Sequence, residues 1–182
     1  MKIISLNVGR PRLVSYNGEP VSTGIFKGPI AGRVMMRTLN LDGDRQADLS
    51  VHGGPNKAVY VYPAEHYDFW KKEFPEMDLP WGMFGENFTT TGLLETAINI
   101  GDKFRVGSGE VMVTQPRMPC YKLGLKFGRP DIIKKFLQSE RNGFYLAVLK
   151  EGEVGVGDEF ELLAKDGHDV RVNDITRLYT AR

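Results

Sequence analysis

Apolar residues along the chain gather in short runs bounded by glycine, proline and acidic turn residues, the pattern of a β-rich domain. Ile3 to Val8 reads as a strand that stops at Gly9, and Arg33 to Thr38 as a second short strand. The stretch between them, Gly18 to Gly32, is rich in glycine, proline and serine; it reads as loop and carries Lys27. The Asp42-Gly43 pair marks a turn, after which polar residues lead to His52-Gly53-Gly54-Pro55 and a strand over Ala58 to Tyr62. His52 is thus expected on a loop just ahead of a strand. Further strands are expected over Ile98 to Ile100, Lys103 to Val106 and Val111 to Val113, with a hairpin turning at Gly107 to Gly109. Gly143 to Leu149 reads as a buried strand and Val154 to Leu163 as a final turn and strand.

Helical spacing is confined to two places. Tyr67, Trp70 and Phe74 recur on one face while Lys71, Lys72 and Glu73 are polar, which predicts a helix from Pro63 to Phe74 with the proline in its first turn. Asp131 to Leu137 predicts a second, shorter one. Strands outnumber helices and do not alternate with them, so the fold class expected is mainly β, a barrel or sandwich with appended helices.

Composition narrows the function classes. A chain of 182 residues, 41% hydrophobic and 26% charged, suits one main globular domain with a real core. Its 24 Lys and Arg against 23 Asp and Glu leave no basic field to hold a phosphate backbone, so nucleic acid is not an expected partner. The opening apolar stretch is too short for a signal peptide, and no run approaches the ~18 apolar residues of a membrane span. One cysteine cannot form an intramolecular disulfide, which fits a reducing, cytoplasmic setting.

That cysteine carries the chemistry. Gln115-Pro116-Arg117-Met118-Pro119-Cys120-Tyr121-Lys122 follows a strand, and its two prolines are expected to hold Cys120 on a stiff loop between two cations. A lone cysteine is often no more than a small buried hydrophobe. A thiol of ordinary pKa is only ~3% ionised at neutral pH, and one cation at about 4 Å supplies ~4 kcal/mol at an effective dielectric near 20, enough to favour the thiolate. Spacing alone does not say which cation that is; the bland reading of Lys27 is a solvated side chain, and that of His52 a residue capping the Gly53-Gly54 turn. Dinucleotide-binding and Walker-type loops are absent, and His52, His66 and His168 lack zinc-ligand spacing.

Three segments, His52-Gly53-Gly54-Pro55-Asn56-Lys57-Ala58-Val59, Phe84-Gly85-Glu86-Asn87-Phe88 and Gln115-Pro116-Arg117-Met118-Pro119-Cys120, resemble in order and spacing those of MOSC-domain proteins, named for the C-terminal domain of molybdenum cofactor sulfurases. The likeness is greatest to the stand-alone bacterial branch linked to 6-N-hydroxylaminopurine resistance. It implies a MOSC-type β-barrel over residues 1–165 that binds a pyranopterin molybdenum cofactor, with Cys120 as metal ligand and Lys27 and His52 as its companions. Asn87 and Arg117 fall in the matched motifs and are assigned to the pterin and its phosphate. Residues 166–182 resemble the start of a three-helix extension cut short at Arg182, a part that would serve partner docking or dimer contacts.

The activity so implied is reduction of small N-hydroxylated compounds, such as N-hydroxylated purines or hydroxylamines, to amines, with Lys27 or His52 giving the proton. Electrons would come from an external, flavin-type reductase, because one cysteine cannot ligate a four-cysteine iron–sulfur cluster. Two alternatives keep the same residue: a persulfide carried on Cys120 for sulfur transfer, and a non-catalytic cofactor carrier.

Overall fold

The computed structural model describes residues 1–47 and 53–181. Among them the chain runs β1 (Lys2–Val8), β2 (Arg12–Tyr16), β3 (Glu19–Thr23), β4 (Gly28–Pro29), β5 (Arg33–Met36), β6 (Val59–Pro63), α1 (Glu65–Glu73), β7 (Phe88–Thr91), β8 (Lys103–Val106) and β9 (Gly109–Pro116). There follow α2 (Tyr121–Phe127), α3 (Ile132–Ser139), β10 (Phe144–Lys150), β11 (Gly152–Gly155), β12 (Phe160–Ala164) and α4 (Val172–Thr180).

Eight strands form one sheet in the order β12-β8-β9-β10-β6-β7-β1-β4. Its far parts meet again: Lys2 bridges Glu159, Ile3 N donates to Asp158 O at 3.0 Å and Phe160 N to Met1 O at 2.9 Å. The sheet thus curls on itself as a barrel, which pairs strand edges that would otherwise stay open. Two smaller pairs, β5 with β11 and β2 with β3, stand outside it.

β6 shows why the chain builds two cores. All five of its residues are buried, and alternation sends Val59 and Val61 into the barrel interior while Tyr60 and Tyr62 face an aromatic layer outside. That layer is closed by Tyr67, Trp70 and Phe74 of α1, by Phe84, and by Phe127 and Phe136 of α2 and α3. Phe84 stacks on Tyr62 at 4.3 Å, and the Trp70 indole N–H donates to the Tyr62 hydroxyl at 2.7 Å. Truncating a fully buried aromatic such as Trp70 to alanine costs about 3–5 kcal/mol, so this layer is a main support of the site described next.

Three local expectations need correction. Part of the segment expected as loop before Lys27 is a strand: β2 and β3 form a hairpin about Asn17 and Gly18, whose φ of 50° and 83° suit a two-residue turn that follows the strand twist. Ile98 to Ile100 form no strand, because Asn99 N is held by Asp102 Oδ2 in a turn and only one bridge, to Arg171, remains. Pro63 ends β6 opposite Thr90, and helix α1 starts after it. Cys120 lies on the loop that leaves β9, as expected, and that loop ends there because Cys120 is the N-cap of α2. At the end of the chain, α4 packs on β9 and α3 with Val172 in the barrel core. Among the described residues no helix is long and apolar enough to cross a membrane.

Candidate functional site

β9 ends at Pro116, where it still pairs with Phe144 of β10. The next peptide stays anchored: Arg117 N donates to Gly143 O at 3.2 Å and Arg117 O accepts from Asn142 Nδ2 at 2.9 Å. Met118 and Pro119 then lead to Cys120, extended at φ −124° and half-buried. Two prolines and two backbone anchors fix the thiol at the edge of a cleft.

Lys27, Asn87, Arg117 and Cys120 all line this cleft. His52 lies outside the described residues; its neighbour Gly53 lines the same cleft. Lys57 and Lys122 add two further cations to the walls.

Lys27 is not a solvated surface side chain. Its ammonium is ion-paired with Asp44 Oδ1, and the two side chains are 8% and 0% exposed. Asp44 also accepts from Gly9 N at 2.9 Å and from Asn87 Nδ2 at 2.9 Å. Asn87 in turn accepts from Tyr60 N at 3.0 Å through Oδ1 and donates to Asn7 O at 3.3 Å. Its amide is spent on the protein, so Asn87 touches the cleft as a brace of the Asp44–Lys27 pair. The peptide carrying Lys27 lies close against glycine: a Cβ on Gly82 would stand 2.7 Å from Lys27 O, and one on Gly9 2.4 Å from Phe26 O.

Arg117 is the site's main electrostatic anomaly. It is 6% exposed and lies 5.3 Å and 5.2 Å from the ring centres of Tyr60 and Phe136. Among the described residues no carboxylate pairs with it, and its Nη1 is buried without a hydrogen-bond partner. Burial works against its charge, but Tyr60, Tyr145 and Cys120 favour that charge and hold its pKa above the ordinary arginine value. Burial likewise raises the Tyr145 hydroxyl, with Arg117 opposing.

Beneath the cleft floor, Glu86 is fully buried. Its Oε1 accepts from the Tyr67 hydroxyl, from Gly82 N at 2.9 Å and from the Thr89 hydroxyl at 2.9 Å, and Oε2 from Phe84 N at 3.1 Å. Burial raises its pKa and these donors resist the rise. The carboxylate thereby shapes the turn from Gly82 to Gly85 that abuts Ile25 and Lys27.

Asp44, Tyr60 and Tyr145 also line the cleft and are not marked as site residues by the sequence. Asp44 carried one faint signal, its place after the Asp42-Gly43 turn, but nothing local shows that it meets Lys27.

Among the described residues no group of three or more His, Cys, Asp or Glu side chains could hold a metal ion. A metal at Cys120 therefore suits a group that brings its own further ligands, and a soft thiolate is a fitting single contribution from the chain. The buried guanidinium, whose Nη1 has no hydrogen-bond partner, and the lysines of the walls fit an anionic group in the same space.

The MOSC domain family matches residues 48–161. The protein YflK of Bacillus subtilis (strain 168) is 46% identical over 176 residues, covering 97% of this chain and 79% of its own. A protein of Gibberella moniliformis named "Reductase" is 33% identical over 183 residues, 99% of this chain and 32% of its own. The crystal structure of YiiM from Geobacillus stearothermophilus superposes with a TM-score of 0.81 at 32% identity, over 98% of this chain and 83% of that one. Sequence and fold agree, and the chain belongs to the MOSC-domain family.

Proposed function

We propose that this chain is a molybdenum-cofactor-dependent reductase that converts N-hydroxylated compounds to amines, with Cys120 as the protein's metal ligand. The observation that carries the reading is the joining of one half-buried thiol, a buried guanidinium that pairs with no carboxylate among the described residues and leaves Nη1 without a hydrogen-bond partner, and an ion-paired lysine in a single cleft. A thiolate ligand, a phosphate-binding cation and a proton source are what such chemistry asks of a protein. The name of the Gibberella relative is in keeping with a reductase.

When bound, the cofactor supplies the two-electron reduction. Cys120 anchors it from a backbone that two prolines hold still. Arg117, set between Tyr60 and Phe136, takes the phosphate end and keeps it there by charge and by a fixed guanidinium plane. Conversion of N–OH to an amine and water takes two electrons and two protons; with the electrons supplied by the external donor through the cofactor, Lys27 Nζ would give one proton to the leaving oxygen and solvent the other, while Asp44 fixes the aim of the lysine. The surrounding aromatic layer excludes water from the inner wall.

The test is metal analysis and turnover together. Protein made in a molybdate-supplied host should contain molybdenum and reduce a hydroxylamine with reduced viologen. Cys120→Ser should fold, lose the metal and lose turnover. Full molybdenum in folded Cys120→Ser removes the ligand assignment, and loaded wild type that never turns over leaves a carrier.

A further inference from the structure

Lys126 stands on α2, the helix that Cys120 caps, and its side chain reaches across to two other segments. Nζ donates to Ile25 O at 3.3 Å and to Gly82 O at 3.2 Å, and lies 5.1 Å from the Phe26 ring centre. Ile25 O also accepts from Lys27 N at 2.9 Å. One carbonyl therefore receives both the Lys27 amide and an ammonium from the helix that begins at the thiol. The second acceptor belongs to Gly82, whose Cβ position abuts Lys27 O. The charged groups that face the ammonium are Arg12, Lys27 and the buried Glu86.

We propose that Lys126 is a positioning residue, tying the Lys27 peptide and the Gly82 turn to the Cys120 helix and so fixing how Lys27 and Cys120 stand to one another across the cleft. The hydrogen bonds are charge-assisted and partly buried, and stronger for it. Replacement by methionine keeps the apolar stem over Phe26 but leaves Ile25 O and Gly82 O without that donor. Lys27 would then leave Asp44 more often while the aromatic layer stays intact. The geometric claim stands apart from the reductase reading; its effect on catalysis rests on that reading.

The experiment is competitive acetylation read by mass spectrometry at Lys27, with the exposed Lys71 as internal reference. In folded Lys126→Met, Lys27 should label about tenfold faster than in wild type while Lys71 does not change, the effect expected when a charge-assisted hydrogen bond of a protected segment is lost. Lys126→Arg, which keeps a cation able to reach both carbonyls, should restore protection. If Lys126→Met does not fold, Lys126→Gln takes its place and should raise Lys27 labelling at least about threefold. Unchanged Lys27 labelling in a folded variant, or equal rises at Lys27 and Lys71, overturns the proposal. Where wild type shows reductase turnover, Lys126→Met should lower kcat with KM nearly unchanged, and a pure KM effect also overturns it. Wild type without turnover counts against the reductase reading alone, since the labelling result is read without substrate.

Discussion

The Asn87 side chain donates to Asp44, Nδ2 to Oδ2 at 2.9 Å, and so holds the carboxylate that takes the Lys27 ammonium. Three segments far apart in sequence depend on one another here. A buried ion pair stands only while its remaining polar atoms are satisfied, and Asn87 with Gly9 N satisfies those of Asp44.

Asp44→Ala should therefore be more harmful than Lys27→Ala. Without Asp44 the buried ammonium has no counter-charge, a loss expected to cost about 3–5 kcal/mol. Without Lys27 the carboxylate keeps two donors, and the cost should be nearer 1–3 kcal/mol. Urea unfolding of the two variants decides it; the reverse order would show that Lys27 is held by something other than this pair.

Much of the barrel was legible because β-strands bury alternate or continuous apolar residues that a linear pattern displays, as in β6 and β10. The α1 face was legible for the same reason. Cys120, Arg117 and Asn87 fall in short motifs, Lys27 enters through the family resemblance, and all four line one cleft. What stayed hidden was pairing across distance. Asp44 looks like any turn aspartate until the fold brings it to Lys27, and Lys126 looks like a helix surface lysine until α2 is laid over Phe26. The Asn87 amide belonged to a recognised motif, yet its partners come from β1, β6 and the turn of Asp44.

Lys126 predicts a pH dependence of stability. Burial, helped by the Arg12 and Lys27 cations and opposed by Glu86, pushes its pKa down to about 8 from 10.5. Between those values the unfolded chain binds the proton and the folded chain does not, so this group makes stability rise as pH increases from about 8. The window closes near 10, where the unfolded chain begins to lose protons that buried Tyr60, Tyr62 and Tyr67 retain in the fold. Urea midpoints from pH 8 to 10 should climb in wild type and lie flatter in Lys126→Met. Equal slopes would remove Lys126 as the source.

Glu86→Gln should destabilise the fold even though it removes a buried charge. Oε1 accepts three donors and Oε2 one, so an amide N–H₂ placed at either position faces a donor. The expected loss is about 1–3 kcal/mol. Because the Gly82 turn abuts Lys27, acetylation of Lys27 should increase in step. A stable Glu86→Gln with Lys27 protected would mean the carboxyl is already protonated in the fold.

Arg117→Met should separate stability from binding. The guanidinium lies between Tyr60 and Phe136, has no carboxylate partner among the described residues and leaves Nη1 unsatisfied. Methionine fills similar apolar space without the desolvation cost of a charge, so the variant should be as stable as wild type or more so, by up to about 1–3 kcal/mol. The Tyr145 hydroxyl, no longer facing that cation, should titrate still higher. On the proposed reading the same change removes the phosphate contact, so molybdenum and pterin should be lost from purified protein while the melting temperature holds or rises, the exchange expected where a strained group serves function. Calorimetry against inorganic phosphate gives a second readout, with binding to wild type and none to the variant. A marked fall in melting temperature would show that Arg117 supports the fold, and full cofactor content in a stable variant would move the phosphate site elsewhere in the cleft.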